Sequence, residues 1–187
     1  TKAMKMVSAA KLKRATDAAV NARPYGTRLA GLVDELSAQV GDITHPLLAE
    51  PDGDLPIRLI LIASDKGLCG SYNSHLTKAV DHFLAEKEGQ GQAVSVVSVG
   101  KKGKAYMLRR GLEAEEIITD VDPTGHLDLG RRLAEEGMAS FLRGEISALY
   151  VAFMEFESAL NQIPTLQKVL PISLGEGDEA QSGATDV

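Results

Sequence analysis

The sequence predicts an α/β fold, with a Rossmann-like, mainly parallel sheet and flanking helices, preceded by a long N-terminal coiled-coil helix. From residue 57 onward, apolar β-branched runs alternate with helical patterns, which is typical of a parallel sheet with crossover helices. The alanine-rich stretch before it predicts one helix. We therefore expect four sections: a helix over 1–40, a linker over 41–56, a globular domain over 57–173 and a flexible acidic linker over 174–187.

The composition is that of an ordinary globular chain without disulfides. Of the 187 residues, 44% are hydrophobic and 25% are charged, as in typical soluble domains. Cys69 is the one cysteine, so an internal disulfide is excluded and a reducing compartment is indicated. No apolar run approaches the roughly 20 residues that span a bilayer. The four histidines are scattered, so we predict no metal site.

The net charge of −6 is distributed unevenly along the chain. Residues 1–28 hold seven of the twenty basic residues and one acid, Asp17, which gives this segment a net charge of +6. The remaining residues carry −12, which argues against general nucleic-acid binding by the globular domain. A basic helix joined to an acidic domain is not expected of a self-contained enzyme. It indicates a surface that acts against a partner.

The predicted N-terminal helix carries apolar residues along one side, and in its first half these are mainly small. Three- and four-residue spacing links Leu12, Ala15, Ala19 and Ala22, and then Tyr25, Leu29, Leu32, Leu36 and Val40. Pro24 is expected to kink or break the helix, which leaves open two helices over 1–22 and 25–40. Because such a helix is marginal alone in water, we expect a partner helix to pack against it.

Eight elements are predicted in the globular domain. Apolar runs predict strands over Ile57–Ala63, Ala93–Val99, Glu116–Thr119, Ile146–Met154 and Leu166–Ile172. Helical periodicity predicts helices over Asn73–Lys87, Lys102–Arg110 and Leu127–Arg143, with Gly111 and Gly144 as helix stops. No helical pattern separates the last two strands, so we expect them to pair as an antiparallel edge.

A first motif, Ser64-Asp65-Lys66-Gly67-Leu68-Cys69-Gly70, follows the first strand of the domain. Ligands of open α/β sheets bind at such loops. One hypothesis makes Cys69 a nucleophile, with His75, His82 or His126 as its base. The alternative, which we favour, is a structural or contact loop in which Asn73 or Ser71 caps the next helix.

A second motif, Gly100-Lys101-Lys102-Gly103-Lys104, lies between the second strand and the following helix. Its backbone amides and lysines could hold an anion, although neither of the two phosphate-binding glycine signatures follows a strand here. The alternative, which we favour, is a solvated turn that begins a helix.

Four segments together resemble the gamma subunit of F-type ATP synthases, the central shaft of the rotary motor. Thr1–Val7, with Ala9-Ala10-Lys11 and Arg23-Pro24-Tyr25, is similar to the family's N-terminal coiled-coil helix. Ser64–Gly70 with Asn73 is similar to its signature loop, and Val99–Gly103 to its next strand–helix junction. Phe153–Pro171, through Phe156–Ala159 and Gln162–Thr165, resembles the segment that closes its α/β domain. The resemblance runs in order over nearly the whole chain.

The resemblance implies a rotor shaft that couples proton-driven rotation of a membrane ring to ATP synthesis or hydrolysis in a catalytic hexamer. The implied partners are the alpha and beta subunits, the epsilon subunit and the ring of c subunits, with no nucleic acid. The chain itself would carry no catalytic residue, cofactor or metal, and would lie peripherally at the cytoplasmic face of a bacterial plasma membrane. Contacts with beta are implied for Lys5, Lys11, Lys13 and Arg14 in the helix, and for Asp65, Lys66 and Cys69 in the loop.

The sequence departs from the family pattern at both ends. The family begins upstream of Thr1 and continues into a second long helix, which would be the coiled-coil partner. We expect that helix to be missing here, beyond Val187. The lone Cys69 excludes the redox cysteine pair of chloroplast relatives and favours the bacterial type.

Two other hypotheses remain at this stage. An independent α/β enzyme would bind a nucleotide or small molecule at the post-strand loop, and the isolated chain would then bind that ligand directly. A nucleic-acid binder using the basic helix would show steeply salt-dependent binding. The cations are spread around the helix, and it lacks the bulky apolar face of a membrane-surface helix, so both nucleic acid and membrane are less favoured for that helix than a protein partner.

Overall fold

The computed structural model describes residues 2–39, 45–51, 53–158 and 161–173. The chain divides into two compact units, Thr1–Ile43 and Thr44–Val187. Part of the predicted linker, residues 41–44 and 52, and the whole predicted tail over 174–187 lie outside the described residues. Within the described residues, no helix has the length and apolar character needed to cross a membrane.

The first unit contains one long helix, α1 (Lys2–Gln39), of 38 residues. Pro24 lies inside it. The structure therefore has one continuous helix, whereas the sequence allowed either one helix or two helices separated at Pro24. A proline removes the amide that would bond to the carbonyl four residues earlier, here that of Val20. The described side chains around this point are exposed, so water can reach that carbonyl and the helix continues.

The second unit alternates strands and helices in the predicted order. Its strands are β1 (Ile57–Ile62), β2 (Val94–Val99), β3 (Glu116–Ile118), β4 (Ala148–Phe156) and β5 (Gln162–Leu170); its helices are α2 (Tyr72–Gly89), α3 (Lys101–Arg110) and α4 (His126–Leu142), with a 3₁₀ turn at Pro123–Gly125. The sheet order is β3-β2-β1-β4-β5. The first four strands are mutually parallel, and β5 pairs antiparallel with β4. The predicted parallel sheet with an antiparallel edge is confirmed.

The core has two layers because side chains of a buried strand alternate between the faces of the sheet. In β1, Leu59 and Leu61 pack with α2 and α3, whereas Ile60 points to the opposite layer. That second layer is built on Leu133 and Phe141 of α4. Most of the buried side chains in both layers are aliphatic, with Phe83 and Tyr106 added in the first layer and Phe141 in the second.

Helices α2 and α3 are also joined by a polar network at their packed faces. The hydroxyl of Tyr106 donates a 2.7 Å hydrogen bond to Oδ1 of Asp81, and Nε of Arg110 lies 3.0 Å from the same oxygen. Burial, followed by the hydrogen bond to Asp81, raises the pKa of Tyr106. This network fixes α3, and with it the loop that precedes α3, against the first layer.

The largest differences from the predicted boundaries are in the last two strands. Strand β5 begins at Gln162, four residues before the predicted start, and Pro164 pairs with Met154 inside it. Proline is tolerated here because β5 is an edge strand, where one side of the backbone needs no partner. At its other end the strand stops at Leu170, and the amide of Ile172 instead bonds to the carbonyl of Leu47.

The described part of the predicted linker is attached to the α/β unit. Leu47 packs on the second core layer, and Glu50 forms a 3.2 Å ion pair with Lys168 of β5. These contacts tie residues 45–51 to the second core layer and to a side chain of β5.

Candidate partner-contact surfaces

The four predicted contact cations of α1 are all on its exposed surface. Lys5, Lys11, Lys13 and Arg14 are exposed, and none forms an ion pair within the described residues. Large apolar side chains are exposed among them, with Met4 74% and Met6 66% exposed. A helix surface that is both cationic and apolar over several turns has the composition of a partner-binding surface.

The β1–α2 loop, residues 63–71, lies at the carboxyl edge of the parallel strands, where ligands and partners of such sheets bind. Asn73 of α2 ties its two ends together. Its Oδ1 accepts a 3.2 Å hydrogen bond from the amide of Ser64, and its Nδ2 lies 2.9 Å from Ser64 Oγ and 3.0 Å from Cys69 Sγ. The hydroxyl of Ser64 in turn donates to the carbonyl of Lys66 at 2.6 Å. Ser71 takes the N-cap position of α2, as one of the two alternatives expected, but its side chain makes no capping hydrogen bond.

Leu68 at the tip of this loop was not singled out from the sequence. Its side chain is fully exposed, and its φ is +60°, a left-handed conformation that costs a non-glycine residue about 1–2 kcal/mol. Asn73 makes hydrogen bonds on both sides of Leu68, to Ser64 and to Cys69. The available signal was an apolar residue between two glycines, Gly67 and Gly70.

Asp65 is half-buried and faces the interior of the loop cluster, whereas Lys66 and Cys69 are exposed. Its Oδ1 accepts hydrogen bonds from the amide of Lys101 at 3.0 Å and from the amide of Asp120 at 3.2 Å. Of the three predicted contact residues in the loop, Lys66 and Cys69 are therefore presented outward, and Asp65 is engaged within the chain.

The predicted anion site at residues 100–104 already has internal acceptors. The amide of Lys101 bonds to the Asp65 carboxylate, and the amide of Lys102 bonds to the carbonyl of Ser64 at 2.9 Å. Gly100 permits this closeness: its φ is +93°, and a Cβ there would lie 2.3 Å from the carbonyl oxygen of Ala63. The chain's own carboxylate thus occupies the position that a phosphate would take at the start of α3.

The lysines around this loop give its surface a positive charge. Lys101 forms a 2.5 Å ion pair with Asp120, and this hydrogen-bonded contact raises the pKa of Lys101 and lowers that of Asp120. The side chain of Lys102 lies close to Gly67, since a Cβ on that glycine would be 3.3 Å from its Nζ. Lys66 and Lys102 are both exposed. Lys102 is thus a second candidate contact cation, which the sequence signalled only as part of an anion motif.

The geometry around Cys69 does not assemble a nucleophilic site. Its thiol contacts Asn73 Nδ2 and, at 3.9 Å, the carbonyl of Lys66, and no histidine among the described residues hydrogen-bonds to it. Burial and the neighbouring Cys69 raise the pKa of Tyr72, so this phenol is not a ready base. Within the described residues, no group of His, Cys, Asp and Glu has the arrangement of a metal site.

Comparison with known proteins identifies the family to which this chain belongs. A family model described as ATP synthase matches residues 1–186, and similar curated proteins are ATP synthase gamma chains. The chain belongs to the ATP synthase gamma chain family. Gamma chains of Bdellovibrio bacteriovorus and of Anaeromyxobacter sp. strain K are 34% and 38% identical to it, over 100% and 92% of the chain. The chain spans 65% and 60% of the length of these two relatives.

The gamma-family assignment agrees with a solved structure of the same fold. A cryo-EM structure of the Tetrahymena thermophila mitochondrial ATP synthase central stalk and c-ring contains a similar chain. The match covers 96% of this chain and 80% of the Tetrahymena chain, with a TM-score of 0.65 and 22% sequence identity. At that identity the match supports the fold: a long N-terminal helix together with the α/β unit.

Proposed function

We propose that this chain is the central rotor shaft of an F-type ATP synthase, coupling proton-driven rotation of a membrane ring to ATP synthesis or hydrolysis in a catalytic hexamer. The observation that carries the proposal is α1, a helix of the gamma family with exposed cations and exposed apolar side chains. Its 38 residues extend about 57 Å at 1.5 Å per residue. A shaft needs such an element, long enough to reach from the ring into the hexamer.

The exposed apolar surface of α1 supports a covering partner. A single helix gains most of its stability from tertiary packing and is marginal when left alone in water. Met4, Val7 and Leu12 are all more than half exposed. A second helix packed along the small-residue seam, with the alpha and beta subunits around the pair, would bury this surface.

The cations of α1 support weak, repeated contacts with acidic segments of the beta subunit. Ion pairs between exposed side chains contribute only about 0–1 kcal/mol each, and salt screens them. A rotor is served by many contacts of this size, because one deep contact would hold it in a single orientation. Lys5, Lys11, Lys13 and Arg14 are proposed to steer and couple, without locking the shaft.

The β1–α2 loop supplies the second proposed contact with beta. Lys66 and Lys102 offer positive charge, and Leu68 and Cys69 offer exposed apolar and thiol surface beside it. Acidic and apolar groups on beta would complement this combination. The α/β unit behind the loop is proposed to carry the epsilon subunit and the ring of c subunits, at the cytoplasmic face of a bacterial plasma membrane.

The chemistry of ATP is proposed to lie on beta, with this chain as a non-catalytic subunit. The competing hypothesis of an independent α/β enzyme requires a free ligand position at the carboxyl edge of the sheet. The carboxylate of Asp65 takes that position at α3, which favours the shaft over the enzyme.

The test is affinity isolation of the full-length, tagged gene product from its own cells, with mass-spectrometric identification of what accompanies it. The expected result is recovery of alpha, beta and epsilon subunits together with ATPase activity. Recovery of the chain alone from the soluble fraction, with a nucleotide or small molecule bound to it, would support the enzyme hypothesis and contradict the proposal of a rotor shaft.

A further inference from the structure

Asp65 connects the chain segments that follow β1, β2 and β3 through a single oxygen atom. It lies in the β1–α2 loop, and its Oδ1 accepts from the amide of Lys101, after β2, and from the amide of Asp120, after β3. The two donors are 36 and 55 residues away in sequence. Hydrogen bonds to a charged acceptor are stronger than those between neutral groups, so this oxygen is a strong junction at the carboxyl edge of the sheet.

Backbone bonds surround the junction, and in the exposed part of the loop the amide of Tyr72 bonds to the carbonyl of Cys69 at 3.3 Å. Ala63 bonds to Val99, Gly100 bonds to Ile118, and Lys102 bonds to Ser64. The ion pair between Lys101 and Asp120 closes the far side. Immediately after Asp65, residues 66–70 are exposed, so Asp65 is the last side chain before the exposed segment that faces into the cluster.

We propose that Asp65 is a positioning residue, whose carboxylate acts as an internal acceptor that holds the segment Lys66–Gly70 in place for its partner. The proposal rests on the proposed shaft function for the identity of that partner, the beta subunit. It goes beyond that function by giving Asp65 a role inside the chain and leaving Lys66, Leu68 and Cys69 to make the contact.

The proposal separates hydrogen-bond acceptance from charge. Asp65→Asn keeps an oxygen that can accept from both amides but removes the negative charge, whereas Asp65→Ala removes both. An internal acceptor is therefore rescued by asparagine. A carboxylate that pairs with a basic group of the partner is not, because an amide carries no charge. Glu113→Ala is the matched control. Glu113 is an exposed acid, and its side chain forms no ion pair or hydrogen bond within the described residues.

The first measurement is residue-resolved amide hydrogen exchange on the full-length, isolated chain, which needs no partner. In Asp65→Ala, the amides of Lys101 and Asp120 lose their acceptor and should exchange about tenfold faster or more, whereas in Asp65→Asn they should stay within a few-fold of the parent. The control should leave both amides unchanged. Unchanged exchange of these two amides in Asp65→Ala would overturn the internal junction.

The second measurement uses the assembled complex in membranes of the native strain carrying each variant. A photoactivatable crosslinker on Cys69 reports contact with beta, and the ratio of ATP-driven proton pumping to ATP hydrolysis reports coupling. Asp65→Ala should lower both the crosslink yield and the ratio several-fold at normal assembly, and Asp65→Asn should restore both. Equal loss in the two variants would overturn the positioning role in favour of a charge contact, and no loss in either would overturn it as well.

Failure of the proposed function has a different signature. If Cys69 of the parent complex crosslinks to no beta subunit, the contact proposed for the shaft is wrong, while the exchange experiment still decides whether Asp65 is the internal acceptor of the two amides.

Discussion

Ser98 of β2 faces Gly103 of α3 so closely that a Cβ on the glycine would lie 2.5 Å from Ser98 Oγ. The hydroxyl is fully buried, and it has no hydrogen-bond partner within the described residues. Once that oxygen is removed, the nearest atoms to such a Cβ are a carbon of Ala63 at 3.5 Å and one of Leu61 at 3.8 Å. The close approach of α3 to the sheet therefore depends on glycine at position 103, and it tolerates a residue smaller than serine at position 98. This approach also brings the N-terminus of α3 to Asp65.

We predict a compensating pair at this contact. Gly103→Ala should lower the free energy of unfolding by about 1–3 kcal/mol through overpacking, and Ser98→Ala should raise it by up to about 1 kcal/mol because an unpaired buried hydroxyl is removed. The double variant should recover most of the loss in urea unfolding. Gly130→Ala in α4, where a Cβ meets no atom within 4 Å, is the control and should stabilise the helix slightly. Simple additivity of the two changes would contradict the contact.

Glu145 provides a prediction for the dependence of stability on pH. A hydrogen bond from Arg143 lowers the pKa of Glu145 to about 2, with Ser140 and Arg58 as weaker contributors. A carboxyl whose pKa falls on folding stabilises the fold above its unfolded pKa of about 4.3, and this contribution is lost as the pH falls towards 2. Glu145→Gln should therefore be less stable than the parent at pH 7, and the gap in urea midpoint should shrink between pH 5 and pH 3. In an Arg143→Gln background the same change should have little effect at either pH; a gap that persists there would show that Arg143 is not the cause.

Charge reversal on α1 tests the proposed cationic surface. Lys5→Glu and Lys11→Glu should reduce the ratio of ATP-driven proton pumping to ATP hydrolysis in vesicles, because they place negative charge opposite the proposed acidic segments of beta. Folding should change by less than about 0.5 kcal/mol, since both side chains are exposed. Lys78→Glu, an exposed cation of α2, makes the same change in net charge as a control. Coupling that is unaltered by both α1 reversals would remove this surface from the proposal.

Cys69 is predicted to be dispensable for catalysis. Since no histidine base reaches its thiol among the described residues, Cys69→Ala should leave ATP turnover of the assembled complex close to that of the parent. Turnover and subunit composition are measured on the same preparation. Abolished turnover with normal assembly would restore the nucleophile hypothesis.

Leu68 is predicted to matter for coupling and not for folding. Its side chain is fully exposed, so Leu68→Ala should leave the free energy of unfolding within about 0.5 kcal/mol. Leu68→Gly removes the strain of the left-handed backbone, which stabilises the folded state, but it also raises the entropy of the unfolded chain, which destabilises the folded state. These two effects nearly offset each other in the free energy of unfolding. If the side chain contacts beta, both variants should lower the pumping ratio equally. A loss confined to Leu68→Gly would assign the effect to backbone stiffness.

The order of the elements could be read from the sequence because each depends on local pattern. The run at Ile57–Ile62 is a strand buried on both faces, and Gly111 ends α3 in the left-handed conformation, with φ of +65°. The start of β5 was missed because Pro164 argues against a strand until its edge position is known. The long helix was predicted, but its continuity through Pro24 was left open.

The sequence by itself determined the α/β class, the basic helix and the loop at which the strands end, since periodicity and charge are properties of neighbouring residues. Only the tertiary structure decided what the loop residues do. Asp65 and Lys66 are adjacent acid and base in a polar loop, yet one turns inward to amides 36 and 55 positions away and the other faces outward. Sheet order brings those amides to Asp65, and no local pattern encodes a meeting between segments so far apart in the chain.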